Sequence, residues 1–261
     1  MTGTSNMKNS NAKEKSRGAL LFAFNTDTVD YELIANRASQ LIEYHLDIPV
    51  TVITKSQSTQ DNIRVGYKAG SQWFNKDRYS AYELSPYDET LLLDSDYLVF
   101  DKKLLKVLDT VEDYALTIHN QSPNGSQDGT MGLFSIEWVW ATAVAFKKTK
   151  KSKMLFDLVG RIQRNYDYYI KLYNLRETNY RNDYAFAIAD NIINGYTSSN
   201  GIPWSMITIE NEINDIEISN DMLTVREHEQ AHVIPKQSIH VMDKDYLLSD
   251  RFGKLVEQVC Q

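Results

Sequence analysis

Apolar residues fall along this chain in short blocks, each with the length of a strand or the period of a helix. Gly18-Ala19-Leu20-Leu21-Phe22-Ala23-Phe24 is a continuous apolar run, the pattern of a strand buried on both faces. A polar turn, Asn25-Thr26-Asp27-Thr28, follows it. From Asp30 to His45, Leu33, Ile34, Ala38, Leu41 and Ile42 recur at three- and four-residue spacing, which predicts an amphipathic helix. Pro49-Val50-Thr51-Val52-Ile53-Thr54 is rich in β-branched residues and predicts a second strand. Strand, helix and strand in this order imply a parallel βαβ unit.

Residues 56–83 are polar and show little periodicity. Glu89-Thr90-Leu91-Leu92-Leu93 reads as a short buried strand. The turn Ser85-Pro86-Tyr87-Asp88 precedes it, Asp94-Ser95-Asp96 closes it, and apolar Tyr97-Leu98-Val99-Phe100 follows. Beyond it the pattern predicts a helix over Lys102 to Asp109, a strand over Tyr114 to His119, and a flexible loop from Ser122 to Gly129. Trp138 to Phe146 is β-like, Met154 to Leu175 reads as one long helix, and Asn182 to Ile193 as another, stopped by Gly195. Short strands and a final helix near Ser249 to Val259 complete the chain. No repeat, heptad array or long Pro- or Ser-rich linker interrupts it. One mixed α/β domain over 17–261 is therefore expected, behind a polar tail, 1–16, that reads as disordered.

Composition narrows the function classes. The chain has 261 residues, enough for a full core. No apolar run approaches the ~18 residues that span a bilayer. The start lacks a secretory leader, and a single cysteine, Cys260, excludes an intramolecular disulfide framework; both point to the cytoplasm. Without secretion, the sequons Asn120-Gln121-Ser122 and Asn124-Gly125-Ser126 read as chance matches. A net charge of −7 argues against a broad basic face that coats nucleic acid. The local exception is Lys147 to Lys153, with five lysines. It reads first as a solvated loop at a helix start, with phosphate contact to an anionic acceptor as the alternative. The first strand is not followed by G-x-G-x-x-G, which disfavours dinucleotide binding.

The candidate chemistry lies in Asp94-Ser95-Asp96. Ligands of open α/β sheets bind at the carboxyl ends of strands. Two exposed acids there can hold a divalent cation through hard oxygen ligands, and the cation can hold a diphosphate. An Asp-x-Asp triplet by itself is commonly a solvated turn; the apolar strand in front of this one favours the metal. Elsewhere, Asn182 and Asp183 open a helix and have the chemistry of caps. The Glu227-His228-Glu229 group and His232 read as solvated or structural, because adjacent side chains point apart.

The stretch Leu84-Ser85-Pro86-Tyr87-Asp88-Glu89-Thr90-Leu91-Leu92-Leu93-Asp94-Ser95-Asp96 resembles the segment that carries the DxD motif in GT-A-fold glycosyltransferases, family 8 and related phage-encoded members among them. The resemblance is strong over this segment and weaker over the rest of the chain. It implies a GT-A fold, with a Rossmann-like nucleotide-binding half (17–100), an acceptor-binding half (101–261), and a central mixed, mostly parallel sheet flanked by helices. It implies a metal held by Asp94, Asp96 and His240, with Lys244 facing the diphosphate. Ile239-His240-Val241-Met242-Asp243-Lys244 departs from the family form, which has a glycine between the histidine and the lysine. Two carboxylates and an imidazole suit Mn²⁺, with Mg²⁺ the competitor. Phe24, Asn25 and Thr26 would meet the nucleobase, with Ser95 beside the metal. Arg78 would either meet the donor or form a surface salt bridge. Asp183, with Asn182 as companion, would contact the sugar or deprotonate the acceptor.

The implied activity is transfer of a sugar, with retention, from a nucleotide-diphosphate sugar, UDP-linked first, to a hydroxyl. The acceptor would be a hydroxymethylated pyrimidine of phage DNA, within the host cytoplasm, or a glycan. One rival is a nucleotidyltransferase, which would carry a Gly-rich basic loop where Asn25-Thr26-Asp27-Thr28 stands. The other is a binding module without catalysis.

Overall fold

The computed structural model describes residues 15–55, 77–122, 125–132, 136–175, 179–197, 201–219, 221–228 and 230–261. Most of the expected 1–16 tail, positions 56–76, Pro123, Asn124 and Glu229 lie outside these residues. The main sheet has five strands, in the order Val50–Ile53, Arg17–Phe22, Glu89–Leu93, Trp140–Lys147, Tyr114–Thr117. The first three are parallel, and Trp140–Lys147 runs against both of its neighbours. The sheet is therefore mixed and mostly parallel, and the protein is α/β, as the pattern predicts. The opening βαβ unit is present, with the helix Tyr31–Leu46 between its strands.

The two faces of this sheet are built differently. One face carries large side chains, Leu20, Phe22, Leu92, Tyr114, Val144 and Phe146, which pack with Phe156, Val159 and Phe186 from two later helices. The other carries Ala19, Ala115, Ala143 and Ala145 beside Leu21, Leu91 and Leu93. Small side chains let a helix lie close, and Ala35, Ile42 and Leu46 of Tyr31–Leu46 belong to that second core, as do Leu104 and Leu108 of the helix Lys103–Thr110. Burial on both faces is why these strands read as unbroken apolar runs.

A second five-stranded sheet has the order Tyr97–Leu98, Ile239–Val241, Met206–Ile209, Asn120–Ser122, Gly125–Ser126. Its core joins Leu98, Ile207, Ile209 and Val241 to Ile34 and Leu41 of the first helix and to Phe252 and Leu255 of the closing helix Asp250–Val259. Tyr31–Leu46 thus serves both sheets from two stripes. The chain crosses from the main sheet to the second through Asp94-Ser95-Asp96. The joint between the sheets is the acidic turn.

Three expectations change. The region from Ser122 to Gly129 is not simply a loop: Asn120–Ser122 and Gly125–Ser126 pair as a short hairpin. The long helix expected from Met154 to Leu175 is two, Lys150–Arg164 and Tyr166–Tyr173. Asn165 leaves helical geometry between them and donates its side-chain amide to the Arg161 carbonyl at 2.9 Å, a local bond that competes with the helix ladder. The first of the two starts inside the lysine run, where Thr149 accepts from the Ser152 amide at 3.2 Å.

Three of the five lysines of the run are engaged within the protein. Lys147 lies 3.4 Å from Glu89, Lys148 donates to the Tyr82 carbonyl, and Lys153 lies 2.9 Å from Glu83 and 3.1 Å from Asp157. Lys147 is in register with Glu89, the first residue of the central strand, whereas Asp94 follows its last. The run and the acidic turn stand at opposite edges of the sheet, roughly 16 Å apart at ~3.3 Å per residue.

Gly18 supplies a test of the packing at the start of the first strand. A Cβ there would meet the Tyr87 ring at 2.3 Å, and that ring is held by a 2.8 Å hydrogen bond between its hydroxyl and Thr51. Gly18→Ala is expected to lower the unfolding free energy by about 1–3 kcal/mol, the usual cost of overpacking. In a Tyr87→Ala background the same change is expected to cost less than about 0.5 kcal/mol, because the clash is gone. Urea denaturation of the four proteins measures both values, and equal costs in the two backgrounds would refute the contact.

Candidate metal centre

The backbone fixes the acidic turn before any side chain acts. The Asp94 amide donates to the Thr142 carbonyl at 2.8 Å and so extends the main sheet by one rung. The Tyr97 amide donates to the Asp94 carbonyl at 3.1 Å, and the Val241 amide to the Asp96 carbonyl at 2.9 Å. The last bond docks the turn on the strand Ile239–Val241, where His240 is in register with Tyr97 and Thr208. Asp94, Asp96 and His240 each offer a donor atom within 4.8 Å of the others, the one such group found among the described residues.

Cations surround the carboxylates. Arg78 binds Asp94 Oδ1 and also donates to the Ala141 carbonyl. Lys244 Nζ lies 2.5 Å from Asp96 Oδ2, and His240 Nε2 lies 3.4 Å from Asp96 Oδ1. The acids are not the exposed pair expected from the sequence: Asp96 is 9% exposed, and Asp94 is partly buried, its side chain 21% exposed, against an arginine that is 1% exposed. Burial pushes the Asp94 carboxyl up, and Asp96 and Asp183 add to this against Arg78. Burial acts on Asp96 as well, but His240 and Lys244 outweigh it and hold that carboxyl well below the usual range. His240 is lowered by burial and raised by Asp96 and Asp94, with the carboxylates prevailing.

The donor set fits a divalent cation. Arg78 and Lys244 take Asp94 Oδ1 and Asp96 Oδ2, and Asp96 Oδ1 faces His240 Nε2 at 3.4 Å. Asp96 Oδ1 is buried and makes no hydrogen bond. Buried carboxylate oxygens nearly always have a partner, so an orphan beside an imidazole and a second carboxylate is a site built for one.

Other expected residues gather around this centre. Asp183 Oδ1 accepts from the Ala141 amide at 2.8 Å, and its Oδ2 accepts from Arg181 at 2.7 and 3.1 Å. Asp183 thus ties the helix Asn182–Ile193 to the strand Trp140–Lys147; it does not cap its own helix. The Ala141 peptide links it to Arg78, since the N–H serves Asp183 and the carbonyl serves Arg78. Asn182 accepts from the Tyr180 hydroxyl at 2.8 Å. Phe24 stands past the end of the first strand, at the same sheet edge, edge-on to Phe22 at 5.9 Å. Asn25 accepts from the Glu32 amide at 2.9 Å and Thr26 from the Val29 amide at 3.0 Å, so both shape the entry to the first helix. Ser95 is buried within the turn. His228 and His232 lie elsewhere: His232 pairs with Glu227 at 3.5 Å and His228 faces Glu212 at 3.7 Å, beside and on a separate three-stranded sheet.

Two groups escaped the sequence reading. Tyr31, first residue of the first helix, feels Lys244, Asp96 and Asp94, and burial raises its phenol. Thr208 lies 3.4 Å from His240 Nδ1 and donates to Asn120 Oδ1 at 2.8 Å. Tyr31 follows the helix-capping Asp30 directly after the first polar turn, a position that could have marked it. Thr208 has no such signal, since strand register alone sets it beside His240.

No protein-family model matches the chain, and no curated protein matches it. Solved structures with partial likeness include the WbbM bifunctional glycosyltransferase, 12% identical over 62% of this chain and 38% of that one, with a TM-score of 0.37. GlyE of Streptococcus pneumoniae is 14% identical over 74% and 45%, with a TM-score of 0.38. The galactosyltransferase LgtC, solved with donor and acceptor sugar analogues, is 14% identical over 66% and 69%, with a TM-score of 0.35. The matched region spans less than half the length of the first two.

The buried Arg78–Asp94 pair generates a stability prediction. Asp94→Ala leaves a buried guanidinium without its carboxylate, and about 3–5 kcal/mol of stability is expected to be lost. Adding Arg78→Met, which removes the orphaned charge, is expected to recover part of that loss. Denaturant unfolding without added metal tests this, and an Asp94→Ala protein as stable as the parent would show that Arg78 does not depend on it.

Proposed function

We propose that this chain is a GT-A-type glycosyltransferase that moves a sugar from a nucleoside diphosphate sugar to a hydroxyl acceptor. The observation that carries the reading is the placement of Asp94, Asp96 and His240. They converge at the carboxyl edge of parallel strands, on the joint between two sheets, with the buried Asp96 Oδ1 facing His240 and making no hydrogen bond. That edge is where open α/β sheets bind nucleotides. In this reading residues 17–100 hold the nucleotide and 101–261 the acceptor.

Asp94, Asp96 and His240 would hold the divalent cation, Mn²⁺ first and Mg²⁺ second. When bound, it supplies stabilisation of the charge that develops on the departing diphosphate. The chain's own residues do the rest. Lys244, 2.5 Å from Asp96, adds a positive charge at the same point. Arg78 is committed to Asp94 and the Ala141 carbonyl, so its part is to hold Asp94 in place. Phe24 offers a ring to a base, and Asn25, whose oxygen is taken by Glu32, keeps its NH₂ as a donor to a carbonyl such as those of uracil. A UDP-sugar suits that pair. Asp183 is oriented by Ala141 and Arg181; Arg181 takes Oδ2 twice, and Oδ1 has a second lone pair for a sugar hydroxyl. Retention at the anomeric carbon, which the resemblance of the Asp94–Asp96 segment implies, is part of this reading.

Two experiments test the reading. Purified protein with Mn²⁺ is expected to release UDP from UDP-glucose or UDP-galactose, to stop in EDTA, and to recover on Mn²⁺ addition. Asp96→Asn is expected to abolish release, and His240→Ala to require more Mn²⁺; titration of Mn²⁺ followed by electron paramagnetic resonance should show the same weakening without turnover. Full activity in EDTA would end the metal reading, and release of pyrophosphate from a nucleoside triphosphate would favour nucleotidyl transfer. Asp183→Asn is expected to lower transfer about 10²-fold, the scale of lost transition-state contacts, with donor affinity unchanged. Normal turnover in that variant would remove Asp183 from the site.

A further inference from the structure

A cleft of about 970 Å³ takes no part in the account above. Its wall includes His119, Asp128, Glu137, Tyr173, Asn191 and Tyr196. A continuous set of contacts joins it to the centre. His240 Nδ1 lies 3.4 Å from Thr208 Oγ1, which donates to Asn120 Oδ1 at 2.8 Å. The Asn120 amide donates to Asp128 Oδ1 at 2.7 Å, and Asp128 Oδ2 lies 3.0 Å from His119 Nδ1. The cleft therefore reaches the strand Asn120–Ser122, two strand spacings, about 10 Å, from His240 across the second sheet.

Three features show a wall built for a ligand. Tyr196 is 62% exposed and holds a left-handed backbone, φ 64°, directly after Gly195 at φ 65°. An aromatic residue rarely adopts that conformation, and such strain collects at binding sites. Its amide donates to the Asn191 carbonyl at 2.7 Å, and its hydroxyl lies 3.4 Å from that of Tyr173. Tyr196 presents a broad ring with a polar tip to the cleft, and Tyr173, 2% exposed, backs it from within the wall. Asn191 Oδ1 is buried at the wall and has no hydrogen-bond partner. Two carboxylates, Asp128 and Glu137, add acceptor oxygens, and among the described lining residues there is no lysine or arginine.

We infer that this cleft seats the acceptor and that the acceptor is an uncharged saccharide. Rings to pack on the C–H faces of a pyranose, with acceptor oxygens for its hydroxyls, are the complement of such a molecule. A nucleic acid is the opposite case. Its phosphates would meet carboxylates in the cleft, and the lysine run, three of its five members already engaged, is at the other edge of the main sheet. This inference rests on the glycosyl-transfer reading for its word acceptor; the cleft as a saccharide site stands on its own geometry.

The test uses the full chain and two variants. Tyr196→Gly removes the ring at a backbone position that glycine prefers, so its melting temperature should not fall. Asn191→Ala removes the orphan oxygen. Saturation-transfer NMR with lactose, maltose and cellobiose is expected to show binding of at least one disaccharide, weakened about tenfold or more in Tyr196→Gly, the scale of one lost good contact. Asn191→Ala should weaken it too, while Mn²⁺ binding by paramagnetic resonance stays as in the parent. A duplex containing hydroxymethylcytosine, followed by fluorescence anisotropy, should not bind through these residues. No disaccharide binding, binding unaffected in both variants, or duplex binding lost in Tyr196→Gly would each overturn the inference. Saccharide binding that depends on Tyr196, in a protein that hydrolyses no nucleotide sugar, would support the cleft and fail the transfer reading, so the two failures are distinguishable.

Discussion

Carboxylates cannot leave water without compensation, and this protein places two of them on the joint between its sheets. Each aspartate of the turn receives a cation from a different direction. Arg78 comes from just before the central strand, and Lys244 from just after the last strand of the second sheet. The pairing holds both sheets to one short segment. It also explains why Arg78, among the most buried side chains of the molecule, can be charged there at all. The strands, the first helix and the two cores are arranged around that requirement.

The unequal faces of the main sheet serve the same end. The alanine-rich face lets Tyr31–Leu46 lie close enough to touch both sheets, with Ala35 and Ile42 on one side and Ile34 and Leu41 on the other. The start of that helix, fixed by Asp30, Asn25 and Thr26, is thereby set at the edge where Asp94 emerges. The opposite face is filled by aromatic packing among Phe146, Phe156 and Phe186, and the helix that carries Phe186 also brings Asp183 to the centre.

Much of this was legible in the residues. Runs such as Glu89–Leu93 announce central strands because burial on both faces leaves no room for alternation, and Asp30 and Ser249 announce helix starts because capping is local chemistry. His240 was found through its likeness to a family motif rather than through spacing. What stayed hidden depends on register. That Asp94 would be buried against Arg78, that Asp183 would accept from Ala141, and that Thr208 would stand beside His240 are contacts over 16, 42 and 32 residues of chain. No local pattern encodes them. The break at Asn165 was missed for another reason: apolar periodicity continues through it, and a single side-chain bond decides the geometry.

Asp94 ends the main sheet, and His240 sits within the second. An ion shared by both would be a rivet through two plates. Salt bridges already pin the turn, Arg78 on Asp94 and Lys244 on Asp96, and the first helix packs on both sheets. A bound ion would add one more pin, from the end of one sheet to the middle of the other, and would tie the alignment of whatever each half holds to one bound atom.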